Sequence, residues 1–275
     1  MTPKPVDMLK EQFYDANGVR LNFAEVFSTG RPLVLLHGVA SEWQSFLPIF
    51  PMLTELCHVY GIDLRGHGRS SWVTDGYRLI DYAQDICQFL AQQVKQPAVL
   101  YGHSLGALIA IAVAAQLPAH VLGLILGDLP LHYRNTTLKR SSWYKPFTEL
   151  HYVISSKQSA QEINDYMAEH YPSMDPERRR ARADCLSRVD PDVVATILDH
   201  RHMLGYDTDA LLRQVTCPVL LFQGNSALGA ALRDEDVVYA INRLGDCDVV
   251  QMRGVGHGLP PVDLLYKITD FLASV

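Results

Sequence analysis

The stretch Val99-Leu-Tyr-Gly-His-Ser-Leu-Gly-Ala107 sets one serine between two glycines, in the order Gly-x-Ser-x-Gly. An apolar run precedes it and another follows, so Ser104 falls on a sharp turn from strand to helix that lifts its hydroxyl clear of the backbone. Gly102 and Gly106 are the small neighbours that such a turn requires. The chemistry is nucleophilic attack on a carbonyl, and a serine does this only when a base takes its proton.

Of the eleven histidines, His257 is the best placed to be that base. It sits in Arg253-Gly-Val-Gly-His-Gly258, after the last strand-like run and before the last helix-like one. Loops at the carboxyl edge of a parallel sheet converge there. His103, inside the serine turn, reads as a packing residue. Attack builds an oxyanion, which needs donors already in place. The amide of Leu105, first in the helix after Ser104, is one. The amide of Val39 in Leu35-Leu-His-Gly-Val-Ala-Ser41 is the second, with Gly38 permitting the turn.

These loops need a sheet to hold them. Asn17-Gly18 between Gln12–Asp15 and Val19–Phe27 predicts an opening antiparallel hairpin. The runs Pro32–Leu36, Cys57–Asp63, Ala98–Gly102, Val121–Gly127, Pro218–Gln223 and Asp246–Met252 then read as strands apolar on both faces. They alternate with segments of helical period, the pattern of a parallel sheet with crossover helices. Leu79, Ala83, Ile86, Leu90 and Val94 mark one helix face; Leu264, Leu265, Ile268, Phe271 and Leu272 mark another. Leu105–Leu117 is apolar nearly all round and about 13 residues long, a buried helix too short to cross a membrane.

From about Leu131 to Gln214 the strands stop, and the sequence becomes polar, Tyr- and His-bearing and Arg-rich, as in Arg178-Arg179-Arg180. This predicts a helical cap laid over the sheet: residues 1–130 and 215–275 form the core and residues 131–214 the insertion.

The chain has 275 residues, 48% of them hydrophobic, and a formal charge of −6. That charge gives no general attraction to nucleic acid or to an anionic membrane, which leaves a small neutral molecule as the expected partner. The five cysteines are odd in number and irregularly spaced. They read as free thiols in a reducing, cytoplasmic compartment, with no metal site and no cofactor expected. The start, MTPKPVDMLKEQFYDANG, lacks the pattern of a secretory signal.

With these motifs in this order, the chain resembles the α/β-hydrolase superfamily, and within it the capped esterase, lactonase and C–C hydrolase branch. Gly61-Ile-Asp-Leu-Arg-Gly-His-Gly-Arg-Ser70 is similar to the family's Gly/Asp/Arg loop, mostly structural there. Asp63 in it reads as a loop organiser. The resemblance implies a mostly parallel eight-stranded sheet with helices on both faces and a cap after the sixth strand.

It also implies a catalytic acid. The strand Pro218-Val-Leu-Leu-Phe-Gln-Gly224 commonly leads to that acid three residues later, but Ala227 stands there. Asp234 and Asp236 read as the start of the next helix. Some members carry the acid at the end of the preceding strand, which here is Asp128 in Leu124-Ile-Leu-Gly-Asp-Leu-Pro130. The expected triad is therefore Ser104, Asp128 and His257.

The resemblance implies cleavage of carboxylic esters or lactones of small, largely apolar compounds, without cofactor. Trp43, Tyr133, Trp143, Tyr144 and Phe147 are the candidate substrate-binding residues. The same residues would also serve a C–C hydrolase, a cofactor-free perhydrolase or an acyltransferase. A ligand-binding receptor or pseudoenzyme of the same fold is the alternative from another class. The lid arginines leave room for an acidic substrate.

Overall fold

The computed structural model describes residues 9–134, 136–157 and 159–275; the first eight residues, read above as lacking a signal, lie outside it. The hairpin forms as expected: β1 (Lys10–Ala16) pairs antiparallel with β2 (Val19–Val26) across Asn17 and Gly18, both at positive φ. Then come β3 (Pro32–Leu36), β4 (His58–Ile62), β5 (Ala98–His103), β6 (Val121–Gly127), β7 (Val219–Gly224) and β8 (Cys247–Met252). The sheet order is β1-β2-β4-β3-β5-β6-β7-β8, with β2 antiparallel to β4 and every later pairing parallel.

The central strands are apolar on both faces because helices cover both. In β3, Val34 and Leu36 face one layer while Leu33 and Leu35 face the other; β5 splits Leu100 from Val99 and Tyr101 in the same way. One face is covered by α1 (Phe50–Leu56) and a C-terminal helix through Phe271 and Leu272. The other carries α2 (Leu79–Phe89), which runs on into a wider turn at Leu90–Val94, and α3 (Leu105–Gln116). The ten residues Leu105–Ala114 of α3 are all buried, so its uniformly apolar sequence has a partner on every side.

Between β6 and β7 the chain forms helices and no strand among the described residues. These are α4 (Tyr144–Ser156), α5 (Ala160–His170), α6 (Pro176–Leu186), α7 (Pro191–Leu198) and α8 (Thr208–Gln214). Ser159, Asp175, Asp190 and Asp207 cap four of them by accepting first-turn amides. The layer is pinned to the core by Tyr77 donating to the Asp190 carboxylate and by Tyr206 donating to the Leu108 carbonyl. The chain closes with α9 (Asp234–Ile241) and α10 (Leu265–Ser274). All five cysteines are free, and no helix among the described residues is long and apolar enough to cross a membrane.

Candidate active site

Ser104 lies between β5 and α3 at φ 53° and ψ −112°, a left-handed conformation that a residue with a Cβ holds only under constraint. Two constraints are visible. The Ser104 amide donates to the Gly127 carbonyl at 2.8 Å, tying the turn to the end of β6. A Cβ on Gly106 would sit 2.0 Å from the Leu36 carbonyl oxygen, so only glycine lets α3 start this close to β3.

His257 is on the loop between β8 and α10, with its Nε2 3.0 Å from Ser104 Oγ. Its Nδ1 lies 2.6 Å from Asp128 Oδ2. Asp128, the first residue after β6, is wholly buried and also at positive φ, 38°. Its carboxylate accepts the amides of Gly224, Ala231 and Leu232 at 3.2, 2.8 and 3.1 Å. Burial alone would push the Asp128 carboxyl up, but hydrogen bonds from His257 and from the Ala231 and Leu232 amides hold it below the usual carboxylate range. An ionised Asp128 can only accept, so Nδ1 of His257 carries the proton and Nε2 faces the serine as an acceptor.

Ala227 lies in an exposed turn at Ser226–Leu228, where its amide donates to Asn225. The segment after β7 thus serves this site with backbone amides and the segment after β6 with the carboxylate. Asp234 and Asp236 sit in the first turn of α9, as the sequence suggested, and Gln223 donates to Asp234. Asp63 organises its loop by accepting the amides of Trp43 and Arg69 and the side chain of Asn22.

The loop after β3 packs on the serine turn: a Cβ on Gly38 would lie 3.3 Å from Ser104 Cβ. Val39 and Ser104 both line one cavity of about 840 Å³. The Leu105 amide opens α3 and has no carbonyl partner within the helix. His103 is half-buried in the cavity wall with its ring centroid 4.9 Å from that of His257, and desolvation pulls it down to about 3, so it is a neutral ring beside His257.

Of the aromatic candidates, Tyr133, Trp143 and Phe147 line the cavity, with the Trp143 ring 5.3 Å from His257. Trp43 does not. Its ring packs on Gly61 and Phe50 in the core on the other face of the sheet, with its indole N–H donating to Glu11. Tyr144 does not line it either: it begins α4 partly exposed, while its neighbour Trp143 takes the inward place.

The sequence reading took the lid arginines only as a group, Arg178 among them, and did not single out Arg182 or Glu42, which also line the cavity. Exposed Arg178 and half-buried Arg182 lie one helical turn apart on α6 and both line the cavity, as does Glu42. The signal was the four-residue spacing itself, which places both arginines on one face beside Ala181, Cys185 and Leu186. The two acidic groups in the wall already hold partners. Arg188 pairs with Glu42, whose carboxyl burial nonetheless raises, and the hydroxyls of Tyr166 and Tyr171 donate to Glu149. Among the described residues no three His, Cys, Asp or Glu side chains cluster as a metal site.

The alpha/beta hydrolase family pattern matches residues 33–263. The 2-(acetamidomethylene)succinate hydrolase of Mesorhizobium japonicum is 28% identical over 269 residues, covering 94% of this chain and 93% of that protein. The N-formylmaleamate deformylase of Pseudomonas putida is 26% identical over 257 residues, covering 90% of each chain. The crystal structure of an N-formylmaleamic acid deformylase from Pseudomonas putida S16 superposes with a TM-score of 0.75 at 25% identity, over 94% of this chain and 99% of that one.

Proposed function

Because the chain belongs to the alpha/beta hydrolase family, we propose that it is a serine acyl hydrolase that cleaves a small ester or amide bearing a carboxylate. Ser104 Oγ attacks the carbonyl carbon while His257 Nε2 takes the hydroxyl proton. Asp128 holds the ring tautomer and balances the imidazolium. The Val39 and Leu105 amides take the oxyanion. Collapse breaks the bond to the alcohol or amine, which leaves with the proton from His257. A water, deprotonated by the same nitrogen, then releases the acid and restores Ser104.

The observation that carries this reading is the unbroken relay from Asp128 through His257 to Ser104, at 2.6 and 3.0 Å, beside a largely apolar cavity. The carboxylate preference rests on Arg178 and Arg182, which enter that cavity while its own acidic side chains hold other partners. The substrates in the names of the two long-range relatives are N-acyl compounds that carry carboxylates. They also widen the expected scissile bond from esters and lactones to amides.

The test is turnover of matched pairs, such as 4-nitrophenyl butyrate against mono-4-nitrophenyl succinate and a neutral against an acidic N-formyl amide. The wild type should hydrolyse both kinds with a higher kcat/KM on the carboxylate member, and Ser104→Ala should hydrolyse none. Wild-type inertness toward all of them would transfer the reading to a ligand-binding protein of the same fold.

A further inference from the structure

Two histidines with no exposed surface stand outside that relay. His37 and His67 are fully buried, stand edge to face with ring centroids 4.9 Å apart, and do not line the cavity. Each ring is held by backbone on both sides. His37 Nδ1 lies 2.7 Å from the Gly38 carbonyl, which can only accept, and the Leu64 amide donates to its Nε2 at 3.0 Å. The Ala40 amide donates to His67 Nε2 at 3.1 Å, and His67 Nδ1 donates to the Arg65 carbonyl at 2.9 Å. In each ring both contacts demand the same tautomer, neutral with the proton on Nδ1. Burial keeps both rings neutral, pulling His37 down to about 4 and His67 to about 3.

The consequence follows from peptide planarity. The Gly38 carbonyl and the Val39 N–H belong to one rigid plane and point in opposite directions, so the bond from His37 to that carbonyl fixes where the Val39 N–H is aimed. The bond from Ala40 to His67 fixes the next plane in the same way. Ala40 needs holding, since it sits at φ 52° without being glycine. Its carbonyl is gripped from above by Arg182 and Cys185 of α6.

We infer that His37 and His67 are positioning residues that aim the Val39 amide at the developing oxyanion, an inference that rests on the serine hydrolase reading above. A histidine that merely filled space could be replaced by any residue of similar bulk. One that supplies an acceptor to Ala40 can be replaced only by a residue whose acceptor reaches as far.

Gln and Asn separate the two. Glutamine carries its carbonyl out to about where Nε2 lies; asparagine stops short. The experiment is the rate at which a small alkyl fluorophosphonate labels Ser104 in the full-length protein, followed by intact mass, because its phosphoryl oxygen uses the same donors. His67→Asn should label about 10- to 100-fold slower than the wild type, the range expected when a donor is misplaced by about 1 Å. His67→Gln should recover to within about threefold. On any ester the enzyme turns over, the Asn variant should lose kcat with KM little changed. His67→Asn and His67→Gln labelling alike at the wild-type rate, both melting well above the assay temperature, overturns the inference while leaving Ser104 as nucleophile. A wild type that fails to label removes Ser104 and the inference together.

Discussion

The loops at the carboxyl ends of β5, β6 and β8 and the helices inserted between β6 and β7 meet in one cavity but are built by different rules. In the loops the backbone is fixed first: Ser104 and Asp128 are held at positive φ, and glycines allow contacts too close for any side chain. In the helices the backbone is regular and side chains do the selecting, with Trp143, Phe147, Met167, Arg178 and Arg182 projecting from α4, α5, α6 and their approaches. The difference teaches that the proposed triad is set by chain geometry, and the proposed substrate wall by residues that can change without disturbing the sheet.

The largest expected effect tests the first half. Asp128→Asn keeps the shape of the acid but removes its charge, and should lower kcat by about 10⁴-fold with KM little moved. Steady-state kinetics on the best ester or amide checks this, with circular dichroism confirming the fold; near-normal kcat would mean that the carboxylate is structural.

Arg182→Met tests the second half. It should raise KM for carboxylate-bearing substrates about 10- to 100-fold, the worth of one charge-assisted hydrogen bond, and leave their neutral analogues nearly untouched. Calorimetric binding of succinate to Ser104→Ala, with and without the arginine change, gives the same comparison free of turnover. Equal loss on neutral substrates would show Arg182 acting only through its grip on the Ala40 carbonyl.

Smaller still, Phe147→Ala removes part of the apolar wall and should cost about 3- to 10-fold in kcat/KM, growing with acyl length across a series of nitrophenyl esters. A uniform loss would move Phe147 from the substrate to the packing of its neighbours.

The last prediction concerns three desolvated rings around the serine turn. His37, His67 and His103 titrate near their ordinary value of 6.5 in the unfolded chain but stay neutral in the fold down to about 4, 3 and 3. Below pH 6.5 the unfolded chain therefore takes up protons that the fold refuses. Stability should be full above that pH and fall as pH drops from 6.5 toward 4, by up to about 1.4 kcal/mol per unit for each ring. Urea midpoints at pH 7 and pH 5 check it, and His67→Gln should lose less.

Legibility in the sequence follows the same division. Ser104 and His257 were readable because their spacing is tied to strand, turn and helix, which a linear pattern records. Six strands were readable as apolar runs and the opening two from the Asn17-Gly18 turn, with ends shifted by a residue or so: β4 starts at His58 rather than Cys57, and β8 at Cys247 rather than Asp246; β8, read as covered on both faces, is the sheet's edge strand and only half-buried. Asp128 emerged only by contrast with Ala227, since nothing in its own neighbours announces three amides arriving from another loop. Trp43 was misplaced because an aromatic after the His37-Gly38 turn gives no sign of which side of the sheet it will fill, and the space beneath Gly61 takes it. Arg182 was hidden in a helix whose polar residues surround it, where sequence shows the spacing but not the face.

The amides that stabilise Asp128 come from residues 96, 103 and 104 positions further along the chain. The unit from β5 through α3 to β6 closes through near neighbours and can set Ser104 on its turn early. The carboxylate at the end of β6 lacks those amides until β7 docks beside it, and His257 lies 129 positions further on. On refolding, recovery of turnover after dilution from denaturant is therefore expected to trail recovery of the helical signal in circular dichroism.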